Sequence, residues 1–289
     1  MVRPLDGQRV LLTGGSSGIG AELLKLLCAA GAEVFVGDLE PERVATHQGR
    51  ARAVACDLSR PDAVRALIDA AEGVLGGVDL YIANAGFTYY GALHEPSGAL
   101  AAAATPDAIE RIYRVNLLAA IEGFVELLAR ARRQGRGLRT LFTASAMAHL
   151  PIPGYSLYAS TKAGLHAFAE AQRPLLEPGE QLSVAYPIAT RTSFFGAGAA
   201  QIPRPFPSQA VELVAARIFR GLLARRARIY PSLLFRAGVL LDRLIPLMWL
   251  YQRWETWKLR RWLSARPPTR PGSSPEPEEG RGAPTEENP

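Results

Sequence analysis

A chain of 289 residues with 48% hydrophobic content is long enough for one sizeable buried core, and its two cysteines exclude a disulfide framework. The net charge of +6 is unevenly placed: residues 210–270 hold thirteen Lys/Arg against three Asp/Glu, a net +10, which leaves −4 elsewhere and excludes a uniformly basic nucleic-acid binder. No run reaches the roughly 18 uncharged apolar residues of a membrane span, and Val10–Leu12 leads into a glycine turn rather than a leader, so a cytoplasmic chain with reduced Cys28 and Cys56 is expected.

Along the chain, apolar runs alternate with helical patterns. QRVLLTG (8–14) reads as a strand and 18–30 as a helix; AEVFVGD (32–38) is a strand, followed by a short helix over 41–47. RAVACDL (52–58) is a strand and 61–75 a helix; VDLYIANAG (78–86) is a strand, followed by a long helix over 106–133 with Thr105 as its cap. LRTLFTAS (138–145), a helix over 156–176, QLSVAYP (181–187), a helix over 208–224 and a short strand ARIYPS (227–232) complete the alternation. Near-continuous apolar strands separated by helices predict an α/β, doubly wound, Rossmann-like parallel sheet of about seven strands covered on both faces. Residues 1–231 form this domain, with a substrate lid over 188–207. Residues 232–263 read as one amphipathic basic and aromatic helical extension. Residues 264–289, rich in Pro, Gly, Ser and Glu, are expected to be disordered.

The turn TGGSSGIG follows a strand and opens a helix. Gly14, Gly18 and Gly20 let the backbone turn sharply and approach a pyrophosphate, while Ser16, Ser17 and Ile19 lie at the helix amino terminus, where free N–H groups and the dipole favour an anion. Asp38 ends the second strand, where a carboxylate accepts the adenosine ribose hydroxyls and repels a 2′-phosphate. Ser17 and Leu39 offer no positive charge and Arg43, a few residues on, is only a weak candidate for an extra phosphate, so NAD is favoured over NADP. Asp57 and Leu58 end the third strand, at the expected adenine edge.

Tyr158 and Lys162 sit four apart on a helical pattern and so share one face, with Ser145 thirteen residues upstream at a strand end. A free tyrosine titrates near pH 10, and a nearby ammonium stabilises its phenolate, which is what a proton-transferring tyrosine needs. Taken with Asn84-Ala85-Gly86 and Asn116, the pattern Thr13-Gly14-x-x-x-Gly18-Ile19-Gly20, Ser145 and Tyr158-x-x-x-Lys162 resembles the short-chain dehydrogenase/reductase family over about residues 8–230. The resemblance implies that Asn116, Ser145, Tyr158 and Lys162 are the catalytic set. Lys162 would also grip the nicotinamide ribose and Ser145 would polarise the substrate carbonyl. Asn84, Ala85 and Gly86 would line the cofactor cleft, and Pro187, Thr190 and Thr192 would complete it. Where that family often has Pro-Gly after the sixth strand, this chain has Pro187-Ile188. The resemblance also implies a homo-oligomer.

The lid bears Phe194 and Phe195, expected beside Ser145 and Tyr158 as substrate contacts; with Pro151, Ile152, Pro153 and Tyr155 opposite, they suggest a lipophilic alcohol or ketone. His149 and His166 have no spaced ligand partners and are expected to be packed or solvated, with no metal. The extension's four tryptophans interleaved with basic residues suit either an anionic membrane surface or packing on the protein. It bears a weaker resemblance to keto-lipid reductases of the 3-ketosphinganine type. The function expected is NAD(P)-dependent interconversion of an alcohol and a carbonyl; the alternative is a silent cofactor-sensing protein.

Overall fold

The computed structural model describes residues 3–94, 100–101, 104–192, 205–242 and 247–264. Seven strands, β1 (Arg9–Thr13), β2 (Glu33–Asp38), β3 (Ala51–Ala55), β4 (Leu80–Ala83), β5 (Arg139–Thr143), β6 (Gln181–Ala185) and β7 (Arg228–Ile229), form one sheet in the order β3-β2-β1-β4-β5-β6-β7. Every pairing is parallel. Eight helices connect or follow them: α1 (Gly18–Ala29), α2 (Ala63–Leu75), α3 (Pro106–Tyr113), α4 (Ala119–Arg133), α5 (Ser156–Gln172), α6 (Val211–Leu223), α7 (Leu233–Leu241) and α8 (Leu247–Ser264).

Strand side chains alternate faces with a period of two, and the two cores show it. Val10, Leu12, Val34, Val36, Leu80 and Ile82 pack with Leu23, Leu27, Ile218 and Leu222 of α1 and α6. Leu11, Phe35, Tyr81 and Phe142 face the other way, onto Leu67, Phe124, Leu127 and Leu165 of α2, α4 and α5. Each fully buried Leu or Ile contributes about 1.5–3 kcal/mol relative to exposure, which is why both strand faces are apolar. The strand order reverses between β1 and β4, so the crevice beyond their carboxyl ends is where a doubly wound sheet holds a ligand.

Two sequence expectations are corrected. The helix over 41–47 is only a 3₁₀ turn, Pro41–Arg43, because the chain then turns through His47 and Gln48 at φ 44° and 61°. The long helix over 106–133 is interrupted by a π turn at Arg114–Leu118, with Thr105 Oγ1 accepting from Ala108 N at 3.3 Å as the expected cap. Within the helical extension expected over 232–263, the described residues form two helices, α7 and α8. The expected tail over 264–289 lies, except for Ser264, outside the described residues.

At the carboxyl ends of β6 and β7, an aromatic cluster ties four segments together: the turn after β5, α5 and the two strand ends. His166 Nδ1 is 2.7 Å from Tyr186 Oη, His149 Nε2 is 3.2 Å from Tyr230 Oη, and the two tyrosine rings stack at 4.9 Å. Burial lowers His149 to about 4, with His166 adding to the effect. Its folded pKa lies below its unfolded value, so the unfolded chain binds the extra proton between about pH 6.5 and 4, and stability falls as pH falls through that window. The melting temperature should therefore drop on acidification from pH 7 to pH 4. His149→Gln, which keeps a hydrogen-bonding group without the titration, should flatten that drop; an unchanged slope would place the acid sensitivity elsewhere.

Candidate active site

The glycine turn is built by close backbone approach. Gly14 adopts φ +73°, and a Cβ there would lie 2.8 Å from Ala85 Cα; one on Gly20 would lie 1.8 Å from Gly14 O. Only glycine leaves room for this packing of β1, α1 and the β4 end. Asn84 Nδ2 donates to Gly14 O at 2.8 Å, and Thr13 Oγ1 accepts from the N–H groups of Asn84 and Ala85 at 3.1 and 3.2 Å. The triplet after β4 thus pins the turn in place.

Asp38 is 93% buried at the end of β2. Its carboxylate accepts from Ser16 N and Ser16 Oγ, both at 2.8 Å, and from Glu40 N at 3.0 Å. The acid thus joins the glycine turn to the β2 end and also closes the turn before Glu40. Arg43 pairs with Glu40 at 2.6 Å on the surface. Asp57 holds Ser59 N and Oγ at 3.0 and 2.7 Å; these hydrogen bonds lower its pKa.

Asn116 lies in the π turn and is 1% exposed. Its amide pairs with both backbone groups of Phe87: Phe87 N donates to Oδ1 at 3.0 Å, and Nδ2 donates to Phe87 O at 2.8 Å. The extra residue in the helix turn aims Asn116 at the strand end rather than along the helix, a placement typical of π turns at functional sites. Gly86 stands over both Asn116 and Lys162, since a Cβ on it would lie 3.1 Å from Asn116 Oδ1 and 3.4 Å from Lys162 Nζ.

Ser145 follows β5, and its Oγ accepts from Met147 N at 3.1 Å. Its hydroxyl is hydrogen-bonded to the Tyr158 phenol. Lys162 donates to Thr143 O at 3.0 Å, and its Nζ stands 5.6 Å from the centre of the Tyr158 ring. Burial pushes the Tyr158 phenol up to about 12, against the lowering effect of Ser145, and brings the Lys162 ammonium down to about 8. The expectation of a depressed tyrosine is therefore not met in the protein alone. Both groups are almost wholly buried (8% and 3% exposed), and taking a phenolate out of water outweighs an ammonium that is itself desolvated.

These groups lie along one cleft of about 610 Å³ at the strand ends. It is lined at one end by Asp38, Asp57 and Leu58, in the middle by Gly14, Ser16, Ser17, Gly18, Ile19, Asn84, Ala85 and Gly86, and at the other end by Ser145, Tyr158, Lys162, Pro187, Thr190 and Thr192. Gly20 is set back in α1 as the packing glycine, and Asn116 acts from behind the Phe87 backbone. Phe194 and Phe195 lie outside the described residues. The cleft also includes Phe87, Arg111, Val115 and Met147, which no sequence signal marks: they reach it from loops and helices whose approach depends on tertiary packing. Behind Tyr158, Met147, Ile152, Tyr155, Tyr90 and Phe87 pack as a small apolar core, with the Tyr90 and Tyr155 rings 4.7 Å apart; of these, Met147 and Phe87 also line the cleft. Among the described residues, no group of His, Cys, Asp and Glu could hold a metal ion.

The cleft's length, its glycine cradle and a carboxylate at the β2 end fit a nicotinamide dinucleotide: Asp38 would meet the adenosine ribose, the turn the pyrophosphate, and Lys162 with Tyr158 the nicotinamide ribose.

Comparison with known proteins agrees with this geometry. Residues 8–198 match the short chain dehydrogenase family. A 4-formylbenzenesulfonate dehydrogenase of Comamonas testosteroni is 38% identical over 168 residues, covering 56% of this chain and 64% of that protein. A (+)-borneol dehydrogenase of Salvia officinalis is 33% identical over 160 residues, covering 52% and 58%. The matches thus span less than two thirds of these relatives' own lengths. Among solved structures, a short-chain dehydrogenase/reductase of Burkholderia phymatum in complex with NAD superposes with a TM-score of 0.71 at 21% identity, covering 94% of this chain and 99% of that one. One of Burkholderia cenocepacia in complex with NADP gives 0.62 at 28% identity, covering 78% and 97%. The family match covers well over half of the chain, and the same residues supply the parallel sheet and the turn-to-tyrosine cleft; the chain belongs to the short-chain dehydrogenase family.

Proposed function

We propose that this protein interconverts an alcohol and a ketone or aldehyde with a nicotinamide dinucleotide, with Tyr158 moving the proton. The observation that carries this reading is the buried Tyr158 phenol, hydrogen-bonded to Ser145 and beside Lys162, at one end of a cleft that continues to Asp38. When bound, the nicotinamide exchanges hydride with the substrate carbon. Ser145 orients the substrate oxygen. Tyr158 donates its proton to that oxygen in reduction and accepts it in oxidation. Lys162 holds positive charge beside the phenol and favours its ionised form. Asn116 braces the Phe87 backbone that borders the cleft. The apolar cluster packed behind Tyr158 supports a lipophilic substrate, in keeping with a relative named for borneol, whereas the relative named for 4-formylbenzenesulfonate points to a charged aromatic aldehyde. Titration with NADH and NADPH, followed by turnover of carbonyls graded by chain length, tests the reading; no turnover of any carbonyl despite tight cofactor binding would favour a silent cofactor sensor.

NAD is the favoured cofactor. The Asp38 carboxylate faces the cleft and Arg43 is paired with Glu40, which supports NAD; the basic side chain in the cleft lining, Arg111, acts on Asp57. Asp38→Ala should weaken NADH binding about tenfold and reduce discrimination against NADPH by at least that factor, since each tenfold step needs only about 1.4 kcal/mol. Kd values for both cofactors measure this, and an unchanged NADH/NADPH ratio would remove Asp38 as the selector. A homo-oligomer belongs to the same reading. Leu118 and Val125, 38% and 53% exposed and seven residues apart on one helical face, support it; the mass of the purified chain by light scattering tests it.

A further inference from the structure

The extension is the part of the chain that the reaction does not use, and its two helices present different surfaces. α7 has the sequence LLFRAGVLL, with one charge and no buried residue. Leu233, Leu234, Leu240 and Leu241 are 66%, 76%, 57% and 48% exposed. Water-facing leucines at this density on one short helix are a liability unless something apolar covers them.

α8 is two-faced. Its inner face docks on the domain: Tyr251 Oη donates to Phe206 O at 2.7 Å, Gln252 Nε2 donates to Pro151 O at 2.9 Å, Glu255 is 5% exposed, and Leu259 lies against Gly154. Tyr251 joins the aromatic cluster that contains Tyr158. The outer face bears Arg253, Trp254, Trp257, Arg260 and Arg261, all exposed and spaced as one helical stripe. Lys258 Nζ sits 4.0 Å from the Trp254 ring centre, and the Arg261 guanidinium 5.6 Å from that of Trp257. The packing alternative suggested by the sequence therefore accounts for the inner face and leaves the outer face and α7 unexplained.

We propose that α7 and the outer face of α8 form one docking surface for an anionic lipid bilayer. The chemistry is complementary: leucines to enter the acyl boundary, tryptophans suited to the headgroup level, and basic residues for acidic headgroups. Between 232 and 264 there are six Lys/Arg against two Asp/Glu; Glu255 pairs with Lys258 at 2.8 Å, which leaves five basic residues against Asp242. A second copy is the poorer occupant, because self-pairing of this face sets arginine against arginine. No helix among the described residues is long and apolar enough to cross a membrane, so the contact is with a surface. Because the inner face of α8 grips the apolar core behind Tyr158, this docking surface adjoins the lipophilic end of the site.

All four tryptophans of the chain, Trp249, Trp254, Trp257 and Trp262, lie in the extension, so selectively excited tryptophan fluorescence reports on it alone. Adding vesicles of phosphatidylcholine with phosphatidylserine to the full-length protein should shift the emission to the blue and carry the protein into the vesicle pellet. Recovery should be at least about tenfold above that with phosphatidylcholine alone and should fall as salt is raised. The double substitution Leu233→Asp with Leu234→Asp should abolish pelleting, as should Arg260→Glu with Arg261→Glu, while NADH binding shows that both variants remain folded. The proposal is overturned if the unmodified protein stays in the supernatant, if either variant pellets undiminished, or if Leu233→Asp with Leu234→Asp instead splits a vesicle-indifferent dimer. None of these readouts needs turnover, so they stand apart from the test of oxidoreduction.

Discussion

Tyr158→Phe is expected to lower turnover by about 10²- to 10⁴-fold, the range general acid–base catalysis contributes, while NADH affinity stays within about twofold. The substitution removes one oxygen from a side chain that is 8% exposed and otherwise held by ring packing against Met147, Ile152 and Tyr155. The ring keeps its volume and the cleft keeps its walls, so the loss falls on proton transfer rather than on folding. Stopped-flow NADH binding beside steady-state turnover separates the two, and a variant that turns over normally would remove Tyr158 from the reaction. The pH dependence of the unmodified protein carries a matching sign. Burial favours the neutral phenol and the neutral amine, with Tyr158 pushed up to about 12 and Lys162 down to about 8. Reduction, which needs a proton on Tyr158, should hold through neutral pH. Oxidation, which needs the proton gone, should rise toward alkaline pH. A rate of oxidation that falls on going alkaline would contradict this assignment.

Gly20→Ala should cost at least about 100-fold in cofactor affinity and about 1–3 kcal/mol in stability, the usual range for overpacking. Its methyl group would lie 1.8 Å from Gly14 O and 2.5 Å from Asn84 Nδ2, so the turn must move and the Asn84 to Gly14 hydrogen bond must break. Helix propensity alone predicts the opposite sign, since alanine is the better helix former. Gly73 is the control: it lies in α2, and an added Cβ would meet nothing within 4 Å. Gly73→Ala should stabilise by about 0.4–1 kcal/mol and leave cofactor binding alone. Calorimetry and NADH titration of the two variants decide the matter; if Gly20→Ala behaves like Gly73→Ala, the close packing of the turn is wrong.

Much of the candidate cleft was legible in the chain because its parts are local. The glycine turn, Asp38, the triplet Asn84-Ala85-Gly86, Ser145 and the Tyr158–Lys162 pair each sit at a strand end or on one helical face. Strand ends and i, i+4 faces are set by short-range geometry, which a linear sequence records. The alternation of strands and helices followed for the same reason, down to the apolar character of both strand faces. What escaped was non-local. Nothing in RVNLL marks a π turn, because the backbone of Phe87, some thirty residues earlier, supplies both partners of the Asn116 amide. Nothing in Met147 or Arg111 announces that they border the cleft.

The phenol and the ammonium illustrate the same division. Their spacing predicted that they would meet, yet the direction of the Tyr158 shift depends on how completely the surrounding helices and loops exclude water. In the extension, the sequence by itself determined composition: leucines, four tryptophans and a surplus of arginine. Only the tertiary structure decided which face of α8 is spent on the apolar core behind Tyr158 and which remains outward with α7, because desolvation and docking are sums over neighbours that the chain brings together from afar.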